Sequence, residues 1–147
     1  MAIAKFSSID RLGLATSMSI GCIDSATNSS IQSVADALDA IILGANIRAT
    51  KTVATVVDIG SATPPADLNA NRDHKWLLRF QDGLNGNIYT HEIGTADPAQ
   101  LPAPTSDFVS LTAGNGLALK TAIDSLYRSP DNNAGTLLSV QDVSRTG

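Results

Sequence analysis

Residues 74–93 constrain the fold more than any other stretch. His74-Lys75-Trp76-Leu77-Leu78-Arg79-Phe80-Gln81 reads as one strand, and Asn87-Ile88-Tyr89-Thr90-His91-Glu92-Ile93 reads as a second. Asp82-Gly83-Leu84-Asn85-Gly86 joins them, and Asn-Gly tolerates the positive φ that a tight reversal requires. Trp76, Leu78 and Phe80 share one face of the first strand, whereas Lys75, Arg79 and Gln81 share the other. The spacing predicts a β-hairpin with one apolar face, its turn over 82–86 and position 74 paired near position 94.

The remaining elements are arranged around it. Ile31, Val34, Leu38, Ile41 and Ile42 recur at helical spacing between Ser30 and Leu43. Asn28, Ser29 or Ser30 can cap that helix and Gly44 can close it. Ile47 to Ile59 is rich in β-branched residues and predicts a strand. Pro64-Pro65 makes Gly60 to Asp73 a loop, and Pro98, Pro102 and Pro104 do the same for Thr95 to Ser106. Phe108-Val109-Ser110-Leu111 is a short strand candidate. Leu119, Ala122, Ile123 and Leu126 then stack as one face of an amphipathic helix over about 115–128, stopped by Pro130. Thr136 to Val143 returns as a final strand. The fold class expected is α+β, a mainly antiparallel sheet with the 74–93 hairpin at its centre and the 115–128 helix packed on it.

Residues 1–30 are harder to place. Leu12, Leu14, Met18 and Ile20 show partial alternation, which fits either a strand of this domain or an extended arm lying on another subunit. Ile3, Phe6, Ile9, Leu12, Leu14, Met18 and Ile20 together are too apolar for a solvated tail. The expected organisation is an extended N-terminal arm over 1–30 and a single α+β domain over 31–147. Those seven residues are the candidate subunit contacts, either completing the protein's own sheet or adding to a neighbour's.

Composition narrows the function. Of the 147 residues, 16% are charged against a usual share of about 25%, and the net charge is -4. The ten Lys and Arg residues are scattered and form no basic stripe, which speaks against dedicated nucleic-acid binding. Thirteen of the fourteen acids are aspartate, a skew toward turns and caps. No apolar run approaches the roughly 18 residues of a membrane span. The start lacks the apolar core of a secretory signal, so synthesis in the cytoplasm is expected. Cys22 is the single cysteine, excluding an intrachain disulfide and pointing to a small buried hydrophobe.

Each chemical constellation has a plainer alternative. Asp73, His74, His91 and Glu92 suggest a metal or acid-base site, yet adjacent His91 and Glu92 face opposite sides of a strand. There is no HExxH and no GxSxG, and Gly114-Asn115-Gly116 lacks the following P-loop residues, so it reads as a tight turn. Asp131-Asn132-Asn133 has calcium-compatible oxygens without the spaced ladder of an EF-hand loop. Trp76, Phe80 and Tyr89 form either a stacking platform or core. No catalytic residue, metal or cofactor is expected.

From Lys51 onward the sequence resembles small structural proteins of bacterial viruses. The likeness lies in Trp76-Leu77-Leu78-Arg79-Phe80, Asp82-Gly83, Ile88-Tyr89, Gly94-Thr95-Ala96-Asp97-Pro98, the Gly116–Arg128 segment and Ser129-Pro130-Asp131-Asn132-Asn133-Ala134-Gly135. The resemblance implies a capsid, decoration, tail or filament subunit, located in a virion or extracellular particle. Such a subunit would partner copies of itself and other virion proteins, with no membrane and no catalysis. The alternatives are a glycan- or peptide-binding module using Trp76 and Tyr89, and a small His/carboxylate enzyme.

Overall fold

A computed structural model describes residues 1–9, 15–44, 52–54, 57–59, 68–70, 75–94 and 108–142. Its elements run β1 (Ala2–Ile9), β2 (Ala15–Cys22), α1 (Asn28–Gly44), β3 (Thr52–Ala54), β4 (Val57–Ile59), β5 (Leu68–Ala70), β6 (Trp76–Asp82), β7 (Ile88–Ile93), α2 (Gly114–Asp124), β8 (Tyr127–Arg128) and β9 (Gly135–Asp142). All pairings are antiparallel and fall into three sheets, ordered β4-β1-β2-β8, β3-β5 and β7-β6-β9. With the two helices among the described residues, the molecule is α+β.

The predicted hairpin forms as β6 and β7, with Trp76 opposite Ile93 and Gln81 opposite Ile88. Asp82 N–H donates to the Asn87 carbonyl, so the reversal occupies only 83–86, and Gly86 takes a φ of 74°. The expected register is therefore one residue short. Trp76, Leu78 and Phe80 are buried, while Arg79 between them is exposed. β9 covers the other edge of β6, and the register slips between Arg79 and Phe80: Arg79 faces Ser139 and Phe80 faces Leu137. This bulge leaves Leu138 without a partner, 42% exposed, and turns Leu137 into the core beside Val140.

The extended-arm expectation for residues 1–30 is corrected. β1 pairs with β2 along its whole length, from Ala2–Cys22 to Ile9–Ala15, and with β4 on its other side. Ala4, Phe6, Met18, Ile20 and Cys22 point into the same core as Leu78, Phe80 and α1, with Lys5, Ser17 and Ser19 on the solvent face. The alternation that suits a strand is realised within the chain, and each buried large side chain gains about 1.5–3 kcal/mol by leaving water. Residue 30 is consequently no boundary, since this hairpin supplies part of the domain's core.

α1 buries Ile31, Val34, Ala35, Leu38 and Ile41. Its start is held by Thr27: Ser30 N–H donates to Thr27 Oγ1 and Thr27 N–H donates to Ser30 Oγ, a reciprocal capping arrangement. α2 presents Leu119 and Ile123 to the core and packs against α1. The helix expected over 115–128 ends four residues early. Leu126 carbonyl accepts from Ile23 N–H and Tyr127 lies opposite Cys22, so 127–128 join the sheet as β8. In place of one strand over 47–59, the described residues form two short strands in different sheets, β3 and β4, with 47–51 and 55–56 outside the described residues, and the loop predicted over 60–73 contains β5. Phe108 contributes a single bridge to Gln141 instead of a strand.

Candidate functional site

Polar groups are organised in two places: a junction of turns at one end of the β7-β6-β9 sheet, and the two edges of that sheet. At the junction, Asp82 ends β6 with its side chain buried. One carboxylate oxygen accepts from the backbone N–H groups of Leu84 and Asn85, closing the hairpin turn. The other accepts from Ser129 Oγ and Asn133 Nδ2, fastening the turn that precedes β9. Ser129 Oγ in turn accepts from the N–H groups of Asp131 and Asn133. Burial alone would push the Asp82 carboxyl up, but donation from Ser129, Asn85, Leu84 and Asn133 outweighs it and holds the pKa at about 2. In the Asp131-Asn132-Asn133 turn, Asp131 Oδ2 accepts from Asn85 Nδ2 at 2.8 Å and lies 3.5 Å from Tyr89 Oη. The cluster is a clasp between two turns.

Behind it, Phe80 stacks on Tyr127 with ring centroids 4.5 Å apart and meets the His91 edge at 5.4 Å. Burial, with the nearby Tyr89 and Asp82 charges, pushes the Tyr127 phenol up to about 12. Gly135 is required here because a Cβ would strike both the Gln81 carbonyl and the Tyr127 ring.

The sheet's two edges differ. The Asp82–Asn87 bond fixes which β7 groups face β6: those of Tyr89, His91 and Ile93. The backbone groups of Ile88, Thr90 and Glu92 therefore point away, and no strand pairs with β7 on that side among the described residues. All three residues are exposed, Ile88 at 50%. The far end is tied by Gly94 N–H to Thr16 Oγ1. Along β9 the outward groups are occupied. Leu137 N–H donates to Asp124 Oδ1, Leu137 carbonyl accepts from Lys120 Nζ, and Val140 carbonyl accepts from Val109 N–H. Lys120 Nζ also lies 2.7 Å from Asp124 and 2.6 Å from Thr136 Oγ1.

The sequence-predicted candidates separate. Glu92 pairs with Lys75 at 2.7 Å on the outer face, whereas His91 packs on Phe80 and burial lowers its pKa. They do not converge, and Asp73 and His74 lie outside the described residues. Trp76 is 3% exposed and is core, so it forms no stacking platform with Tyr89. Cys22 is buried, which pushes its thiol up to about 11 despite a hydrogen bond with the Ala4 backbone. Of the seven predicted subunit contacts, Phe6, Met18 and Ile20 belong to this protein's own core, and Ile3 alone is shown exposed, at 45%. Ile9 lies in β1 with its side group undescribed, and Leu12 and Leu14 fall outside the described residues.

Among the described residues no three His, Cys, Asp or Glu side groups are clustered to hold a metal ion. Among them, too, no helix is long and apolar enough to cross a membrane. No protein-family model, curated protein or solved structure matches this sequence.

Proposed function

We propose that the protein is a self-assembling structural subunit, acting by association with copies of itself and not by catalysis, of the kind that builds virions of bacterial viruses. The observation that carries this reading is the contrast between the two edges of the β7-β6-β9 sheet. β9 is closed by side groups from α2, a device that prevents strand addition. β7 carries no such cover over Ile88, Thr90 and Glu92 among the described residues. An open edge on a protein of low charge accepts an extended strand through backbone hydrogen bonds. Phe6, Met18 and Ile20 are taken up by the protein's own core, so the proposed contact is the β7 edge instead of those residues.

The test is sedimentation and electron microscopy of concentrated protein beside a Thr90→Pro variant. The Thr90 N–H points away from β6, so proline there deletes an edge donor without breaking the hairpin ladder. Ordered oligomers or particles that Thr90→Pro abolishes, with the melting temperature preserved, are the expected result. A wild-type protein that stays monomeric at high concentration, or assemblies indifferent to the substitution, defeats the proposal.

A further inference from the structure

Two Asn-Gly pairs occur in the sequence, Asn85-Gly86 and Asn115-Gly116. In such a pair the glycine carries no side group to obstruct its own nitrogen, which can bond to the asparagine Cγ. The bond between Cγ and Nδ2 then breaks, and ammonia leaves with the proton from the glycine nitrogen. Water opens the resulting cyclic imide at either carbonyl, giving aspartate or its β-linked isomer. The reaction needs a glycine N–H that is not held elsewhere and an asparagine amide free to swing onto it.

The fold treats the two pairs in opposite ways. At the hairpin turn every group is engaged. Gly86 N–H donates to the Asp82 carbonyl at 3.0 Å, Asn85 Oδ1 accepts from Asn87 N–H at 2.9 Å, and Asn85 Nδ2 donates to Asp131 at 2.8 Å. At α2, Asn115 is exposed in the first turn, where N–H groups have no acceptor four residues back within the helix. The N-cap is Ala113, which supplies no side-chain acceptor for them. The first bond of the ladder, Leu117 N–H to the Ala113 carbonyl, is long at 3.3 Å. This end of the helix opens more easily than the clasped turn. Packing explains why glycine persists at 116: a Cβ there would overlap the Ser110 carbonyl oxygen. The reactive pair is thus a by-product of a close backbone approach.

We infer that Asn115 is the site of spontaneous deamidation in the folded protein, and that Asn85 is protected until the fold is lost. Because β-linkage inserts an extra backbone atom beside the Gly116–Ser110 contact, the product loosens the start of α2.

Intact protein is aged in mildly alkaline buffer, with and without denaturant, then cleaved after Lys, Arg and Glu92. As Glu92 is the sole glutamate, cleavage separates fragment 80–92, holding Asn85, from fragment 93–120, whose one asparagine is Asn115. Mass spectrometry and enzymatic labelling of β-linked aspartate read the outcome. In the folded state fragment 93–120 should convert at least an order of magnitude faster than fragment 80–92, and in denaturant the two should converge. Asn115→Gln removes the 93–120 signal, and Asp131→Ala accelerates conversion of 80–92. Equal folded-state rates, a 93–120 fragment that converts only in denaturant, or an Asp131→Ala variant without effect on 80–92 would overturn the inference.

Discussion

The two edges of one three-stranded sheet show how differently a protein can treat the same hazard. β9 and β7 flank β6 and both carry outward-facing backbone groups. On β9, Lys120 and Asp124 reach across from α2 to take the Leu137 carbonyl and N–H, and Val109 takes the Val140 carbonyl. On β7 the corresponding groups of Ile88, Thr90 and Glu92 meet no strand among the described residues. A polar pair one helical turn apart, i and i+4, closes one residue of the edge, because the two charges match the N–H and carbonyl of Leu137, and Val109 covers the outward carbonyl of Val140. Among the described residues the β7 edge is left unsealed, and the proposed association rests on it.

The largest effect on this contrast should come from Asp82, where β6 ends and both flanking turns are fastened. Asp82→Asn replaces an acceptor by a donor facing Asn133 Nδ2 and loosens the 83–86 and 129–134 turns together. Its folded-state pKa of about 2 lies below the ordinary 3.8. The stabilisation is therefore complete above 3.8 and is lost as pH falls through about 2. Denaturant titrations across that window should show wild type losing stability steeply on acidification. Asp82→Asn should start lower and lack this group's share of the slope; an identical slope in both proteins would remove Asp82 from its role.

Next in size is the seal itself. Asp124→Ala strands the Leu137 N–H and deprives Lys120 and Thr136 of their shared acceptor, at a cost of about 1–3 kcal/mol. It also gives the sheet a second open edge. Chemical denaturation should report the loss, and light scattering should report association that does not depend on Thr90. A variant as stable and as dispersed as wild type would show that the edge is closed by something other than this pair.

How much of this was legible in the sequence depends on how local its cause is. The 74–93 hairpin and α1 follow from period and turn chemistry confined to a few residues, and both are found. The Thr27–Ser30 cap had a readable signal, two hydroxyl residues three apart before an apolar run, although Asn28, Ser29 and Ser30 are the more obvious choices. The N-terminal hairpin was masked by the high apolar total of residues 1–20, under which its alternation runs, Ala4 and Phe6 in with Lys5 out. Other features have distant causes. α2 stops at Asp124 because Asp124 is bound to β9 and Tyr127 is needed opposite Cys22 and over Phe80. The bulge that exposes Leu138 and buries Leu137 is decided by the partner strand, and no periodicity in 135–142 announces it. The asymmetry of the edges belongs with these, since it depends on which residues α2 brings to β9.

The smallest expected effect on stability tests the open edge most cleanly. Ile88 is half exposed on the outward face at the start of β7, and it fills no part of the buried core. Ile88→Lys places a cation where an added strand would have to pack, the commonest guard on natural edges. Surface changes of this sort stay within about 0.5 kcal/mol, so thermal unfolding should be nearly unchanged. Self-association measured by sedimentation should nonetheless fall, and fall further at low salt, where repulsion between neighbouring lysines is screened least. Loss of stability without loss of association would reverse the comparison, making Ile88 part of the fold and the β7 edge idle.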